Sequence, residues 1–294
     1  MFRRYFVFFL TNILVMITIS IMFNIIVHFM GLNRMSGYLP FVMVFSIVWG
    51  MGGAFISLLL SKVMAKWAMG VQIIDPANTS GQYSTLIATV YNLAKKAGLE
   101  KMPEIGIYNS PEINAFATGR SRNSSLVAVS SGLLTGMSHE EVEGVLGHEI
   151  AHIANGDMVT MTLIQGVVNA FVLFLSRIAA MILAQNVEEK NRGMIQWIAT
   201  MIFDIFFTIL GSIVVMYFSR QREFRADAGG ANYAGREKMI AGLQRLKSQV
   251  NSLLPDEHGM ATMKITSRPS GFLSLFSTHP SLDERIERLK NYTS

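Results

Sequence analysis

His148-Glu149-Ile150-Ala151-His152 is the stretch on which the reading of this chain turns, and Ser138-His-Glu-Glu-Val-Glu143 leads into it. Ser138 and Glu141 have the spacing of a capping box, in which each side chain satisfies a free backbone N–H at a helix start. A helix is therefore predicted from Ser138 through Leu146, His148 and His152 to about Asn155. Four residues advance a helix by about 400°, so the two imidazoles share one face, one turn apart. Six residues beyond His152, Met158 opens an apolar run that lasts to Ala184. A polar helix and an apolar one thus follow each other directly, and both must be housed by the fold.

Working outward, four such runs are found: Tyr5–Met30, Pro40–Leu60, Met158–Ala184 and Met194–Phe218. A helix needs about 20 apolar residues to cross a bilayer, and each run qualifies. The chain has 294 residues, of which 51% are hydrophobic and 15% charged, against roughly 25% charged in an average soluble domain. Arg3 and Arg4 precede the first run, Lys62 and Lys66 follow the second, and Arg220, Arg222 and Arg225 follow the fourth, while the first turn holds only Arg34. By the positive-inside rule the N-terminus and the polar segments are cytoplasmic. The first run is too long for a signal peptide and has no small-residue cleavage site after it, so it reads as a retained anchor. Two charges lie within the last pair of runs, Arg177 and Asp204, at depths of roughly 28 and 21 Å from the cytoplasmic ends. An antiparallel hairpin would bring them to similar depth, so they are expected to pair, in a structural role.

The net charge of +5 and isoelectric point near 9.5 fit membrane-flanking Lys and Arg. A nucleic-acid face would need a basic stripe interleaved with aromatics, and none is present. With no cysteine there is no disulfide framework and no thiolate metal site. Any metal must use His and carboxylates. The polar segments read as an amphipathic helix over Gln82–Ala97, strands at Glu104–Tyr108 and Ser125–Ser130 with Asn114–Gly119 between them, and helices over Gly235–Asn251 and Ser281–Asn291. Three strands after a helix point to a small sheet.

His148 and His152 suit two ligands of a tetrahedral zinc. Glu149 projects about 100° from His148, so it can reach a water on the metal without binding the metal itself. Zinc lowers the pKa of such a water towards about 7, and Glu149 is placed to take its proton. A third ligand is needed, and Glu223-Phe-Arg-Ala-Asp227 offers Glu223, with Asp227 one turn on as acceptor for a ligand imidazole. Taken alone, that segment also reads as a solvated, charged helix start. Its position favours the ligand reading: His152 lies six residues before Met158 and Glu223 five after Phe218. If both links are helical, the two groups lie within roughly 10 Å of one membrane face. His28, His139 and His258 read as background, and the 20 methionines as apolar filler.

These segments carry a resemblance. His148–His152, Glu223–Asp227, the Ile113-Asn-Ala-Phe-Ala-Thr-Gly119 stretch and the terminal Ser277-Thr-His-Pro-Ser-Leu-Asp-Glu-Arg-Ile-Glu-Arg-Leu289 together resemble the HtpX-type heat-shock membrane proteases of bacteria, relatives of the CAAX prenyl proteases among the gluzincin metallopeptidases. The resemblance covers nearly the whole chain. It implies one zinc per chain held by His148, His152 and Glu223, with Glu149 as general base and Asp227 behind a ligand histidine. It implies that Asn114 and Ala115 lie on an edge strand that pairs with substrate backbone, that His279 faces the developing oxyanion, and that Arg285 helps to hold that region. It also implies unfolded or membrane-protein substrates and a place in the bacterial inner membrane, with other membrane quality-control proteases as candidate associates and lipid around the spans.

The expected architecture is a mainly α membrane protein, with four transmembrane helices and a cytoplasmic zincin-like α+β catalytic domain carrying a small β-sheet. Its parts are a two-helix anchor (1–61), a first catalytic part with the zinc-binding helix (62–157), a transmembrane hairpin (158–218) and a second catalytic part with the third ligand and the C-terminal helix (219–294). Three other readings compete. An intramembrane protease is disfavoured by the charges of Ser138–Glu143, which need water. A non-catalytic transporter or scaffold has only four spans and one buried acid to support it. A prenyl-protein protease generally has more spans. The Gly- and Pro-containing loop Pro255–Gly271 is a candidate lid.

Overall fold

The computed structural model describes Ile17, Ile21, Ile25, His28, Phe29 and residues 38–78, 81–252 and 279–292. Apart from those first five residues, the expected span Tyr5–Met30 lies outside the described residues, as do Arg3, Arg4, Arg34 and the loop Pro255–Gly271 with His258.

Helix α1 (Tyr38–Met69) is followed by a short strand β1 (Gln72–Ile73), helix α2 (Gln82–Lys96), strands β2 (Glu104–Tyr108), β3 (Ala115–Ser121) and β4 (Ser124–Ser130), and helices α3 (Ser131–Gly136) and α4 (His139–Asn155). Two long helices, α5 (Asp157–Gln185) and α6 (Glu189–Ala234), precede α7 (Arg236–Ser252) and α8 (Leu282–Lys290). Three of these, α1, α5 and α6, are long and apolar enough to cross a membrane. The fourth apolar run stays helical past Phe218, as the link to Glu223 is expected to. It continues without a break through Glu223 and Asp227, because no Gly or Pro interrupts the helix formers there.

The chain divides into two compact units. The first takes in described residues of Met1–Leu58 and Thr160–Met216; the second takes in those of Leu59–Val159 and Tyr217–Ser294. In the first unit, helices touch at small residues. A Cβ on Gly50 would run into the backbone N of Ala170, and one on Gly211 would stand 2.7 Å from a Val168 methyl. Such close contact is how helices associate where lipid offers no hydrophobic driving force. Arg177 and Asp204 do meet, at 3.9 Å, and the Arg177 guanidinium also lies 4.6 Å over the Phe45 ring and donates to the Leu173 carbonyl.

The second unit is built on a four-stranded sheet in the order β1-β2-β4-β3. β2 and β4 run parallel, and the two outer pairings are antiparallel. β4 is central, and its run Leu126-Val127-Ala128-Val129 is wholly buried, as a strand covered on both faces requires. β3 is an edge strand with a bulge after Gly119. Leu86, Val90 and Leu93 of α2 and Leu146, Ile150 and Ile153 of α4 close the core with Ile105 and Val127 of the sheet. Lys62 and Lys66, expected as membrane-flanking charges, are bonded to the Glu104 carboxylate at 2.6 and 2.8 Å. Two elements were not foreseen from the sequence. β1 has two residues, too few to carry a period of two, and α3 is one short turn whose N-cap, Ser130, ends a strand.

Candidate metal centre

The centre starts from the Ser138 capping box. The Ser138 backbone N–H donates to Glu141 Oε2 at 2.7 Å, and Ser138 Oγ accepts from the Glu141 N–H at 3.3 Å. From this fixed start α4 carries His148, Glu149 and His152, and it ends at Gly156, whose φ of 70° is the left-handed conformation of a helix C-cap. The helix bearing Glu223 reaches α4 through backbone contact. A Cβ on Gly147 would lie 2.8 Å from Ala234 Cβ, and one on Gly230 would lie 2.9 Å from the His148 backbone N. Each helix-interior glycine costs about 1 kcal/mol relative to Ala, and the close approach is what it secures.

That approach brings His148, His152 and Glu223 together, with one ligand atom of each within 4.8 Å of the others. The two Nε2 atoms lie 3.0 Å apart. Glu223 Oε2 is 3.4 Å from His148 Nε2, and Glu223 Oε1 is 3.5 Å from His152 Nε2. The edge of a tetrahedron with metal–nitrogen bonds near 2.05 Å is about 3.3 Å. The two imidazole nitrogens stand near that spacing, and the Glu223 carboxylate faces both, with one oxygen towards each ring, so the three side chains can close on one small ion. The opposite ring nitrogens are occupied. His148 Nδ1 is 2.9 Å from Asp227 Oδ1, and His152 Nδ1 is 2.7 Å from Asp157 Oδ2. A carboxylate on Nδ1 leaves the Nε2 lone pair for a metal.

The surrounding charges are paired. Arg285 is buried and grips Asp227 through Nε (2.8 Å) and Nη2 (2.6 Å). Glu223 receives Arg222 Nη2 at 2.5 Å and His279 Nδ1 at 3.0 Å, with Arg285 Nη1 at 3.6 Å. Burial alone would lower the pKa of His148, but the carboxylates of Asp227 and Glu223 outweigh it and raise it to about 9. Burial would raise Glu223, yet His148 and His279 hold it far below the usual carboxylate range. Asp227 is depressed in the same way, its burial outweighed by Arg285 and His148.

A cavity of about 160 Å³ opens on this cluster. Its walls carry Asn114 and Ala115 from the start of β3, His148 and half-buried Glu149 from α4, Glu223, His279 and Arg285, together with apolar residues such as Val145 and Leu243. The sequence-expected residues thus converge, with His152 and Asp227 just behind the lining. Two contributors were missed. Asp157 falls between the predicted helix end at Asn155 and the apolar run from Met158 and draws no reading, and Arg222 reads as a membrane-flanking cation. The short Gly156 turn after His152 is the signal that could have pointed to Asp157.

The profile of peptidase family M48 matches residues 81–293. The chain belongs to peptidase family M48. M48 members are metalloproteases, and with three membrane-length helices among its described residues this chain is a membrane-bound one. It is 52% identical to the protease HtpX homolog of Bacillus subtilis, over 98% of this chain and 99% of the relative. It is 48% identical to protease HtpX of Thioalkalivibrio sulfidiphilus, with 98% of each chain covered. Among solved structures it resembles Ste24p of S. mikatae, with a TM-score of 0.59 and 18% identity; the match covers 96% of this chain and 65% of that one. That last likeness is one of fold. M48 chemistry requires a metal, and the His148, His152 and Glu223 cluster is where this chain can hold one.

Proposed function

We propose that the metal is zinc and that the chain is a multi-pass endopeptidase of the bacterial cytoplasmic membrane, hydrolysing unfolded or membrane-associated proteins. The observation that carries the reading is the pair of Nε2 atoms 3.0 Å apart facing the Glu223 carboxylate, each ring backed by its own carboxylate. Two imidazoles and one carboxylate are the ligand set of a catalytic zinc that keeps a position open. When bound there, zinc acts as a Lewis acid on the scissile carbonyl and makes water a nucleophile near neutral pH.

The chain's own residues do the rest. Glu149 lines the cavity beside His148 and accepts the proton of the attacking water, then passes it to the leaving amine. Arg285 fixes Asp227, and Asp227 fixes His148. His279, whose Nδ1 approaches Glu223, stands at the cavity wall as a donor for the developing oxyanion. The β3 edge at Asn114 and Ala115 offers backbone groups to an extended substrate, a mode of binding that asks little of side chains. Unfolded chains meet that requirement. The tract Tyr5–Met30 supplies a fourth span, and Lys62, Lys66, Arg220, Arg222 and Arg225 favour a cytoplasmic catalytic unit.

The test is zinc quantification on purified wild type and Glu223→Ala, with cleavage of an unfolded membrane protein followed in parallel. One zinc per wild-type chain and loss of both metal and cleavage in the variant are expected. A variant that keeps zinc and turnover would overturn the assignment.

A further inference from the structure

The two ligand histidines are not supported alike. Asp227, behind His148, is neutralised by the two-pronged contact with Arg285. Asp157, behind His152, is 2% exposed, and among the described residues His152 is its only ionisable partner. A first-turn acid that served only the helix dipole would gain as much at the surface, where it stays hydrated. Burial of an ionised carboxylate is costly unless a strong hydrogen bond offsets it, and here that bond goes to the ring nitrogen of His152 at 2.7 Å. The backbone is arranged for it: Gly156, at φ 70°, ends α4 and turns the chain so that the first residue of α5 faces the last turn of α4.

We propose that Asp157 is a positioning residue of the metal centre, holding His152 with Nε2 towards the metal and placing an unshared negative charge behind that ligand. This rests on the metal centre proposed above. The geometry gives His152 the stronger electrostatic backing and His148 the weaker, since the charge behind His148 is divided with Arg285.

Asp157→Ala, Asp157→Asn and wild type would be loaded with Zn²⁺ or Co²⁺. Chelator competition gives the metal affinity, and the visible absorption of the Co²⁺ form reports ligand geometry. Loss of a carboxylate behind a ligand histidine typically weakens metal binding by about 10–100-fold, and that is expected for Asp157→Ala, with an altered Co²⁺ spectrum. Asp157→Asn keeps an oxygen acceptor for the Nδ1 proton but not the charge. It should restore the spectrum and recover only part of the affinity. Should Asp157→Ala bind metal with wild-type affinity and spectrum, losing only thermal stability, the residue merely packs and the proposal fails. If the alanine chain does not fold, wild-type affinity in Asp157→Asn is enough to remove the role given to charge. Wild type that binds neither ion would sink the metal centre itself, a different result from either.

Discussion

The two units invert each other's chemistry. In the first, large apolar residues face outward, with Phe171 62%, Ile202 60% and Ile205 63% exposed, while Ser46 and Ser176 are buried. In the second, Leu93, Leu126, Leu146 and Ile150 are wholly buried, and the inward-facing charges gather at one place, around His148 and Glu223. A helix that shows its apolar residues outward is matched to hydrocarbon as its solvent. The difference teaches that this chain solves two solvent problems with separate surfaces, and that buried charge is held by close partners, several of them around Glu223 and Asp227, and the His152 ring for Asp157 behind it. The Arg177–Asp204 pair, at 3.9 Å and backed by one aromatic ring, is a much looser arrangement than Arg285 on Asp227.

Five measurements can break or sharpen that contrast. The largest effect is expected from Glu149→Gln, which should lower turnover by roughly 10²–10⁴-fold while metal content stays at the wild-type level; the comparison of kcat with bound zinc decides it. Next is a pH effect on the metal-free second unit. His148 is raised to about 9 from 6.5, so the folded state holds its proton more tightly than the unfolded one. Its contribution, on the order of 3 kcal/mol, is complete below pH 6.5 and is lost as pH rises through about 9. Glu223 and Asp227 are depressed from 4.5 and 3.8, so theirs is present above those values and lost as pH falls below them. Thermal unfolding of chelator-treated protein across pH should therefore decline on both sides, and metal uptake should improve towards pH 9 as His148 gives up its proton.

On the lipid-matched side, Ile205→Arg should cost about 3 kcal/mol of insertion or stability in bilayers, whereas a soluble-style surface would accept it. Gly230→Ala places a methyl 2.9 Å from the His148 backbone N; a loss of about 1–3 kcal/mol, read as a lower Tm, should come with weaker metal retention. The smallest change is expected from Asp204→Asn. Polar contacts between membrane helices average about 0.6 kcal/mol, so unfolding in lipid should shift by no more than about 1–2 kcal/mol. No shift at all would show that the pair carries no load.

Much of this was legible in the sequence, for identifiable reasons. The Ser138–Glu141 box and the four-residue histidine spacing are local and periodic, so α4 and the shared face of His148 and His152 could be read directly. The apolar runs were equally plain. The separation of His152 and Glu223 from the ends of two apolar runs was enough to pair them. What could not be read depends on contacts between distant segments or on backbone detail. Arg285 finds Asp227 across 58 residues of sequence. Asp157 points back at His152 only because Gly156 takes a left-handed turn. The Gly147–Gly230 contact looks in sequence like helix weakness. β1 is too short to show any alternation, and it forms because β2 presents an open edge beside it.

The contact through Gly147 and Gly230 sets the bite of the centre. Ligand-bearing helices that touch main chain to main chain cannot be spread by rotating a side chain. A larger, oxygen-seeking cation such as Ca²⁺, which takes six to eight ligands at about 2.3–2.6 Å, would have to force that seam apart. Ion choice is thus partly mechanical: the frame admits a small four-coordinate guest by stiffness, before any preference of nitrogen over oxygen is felt.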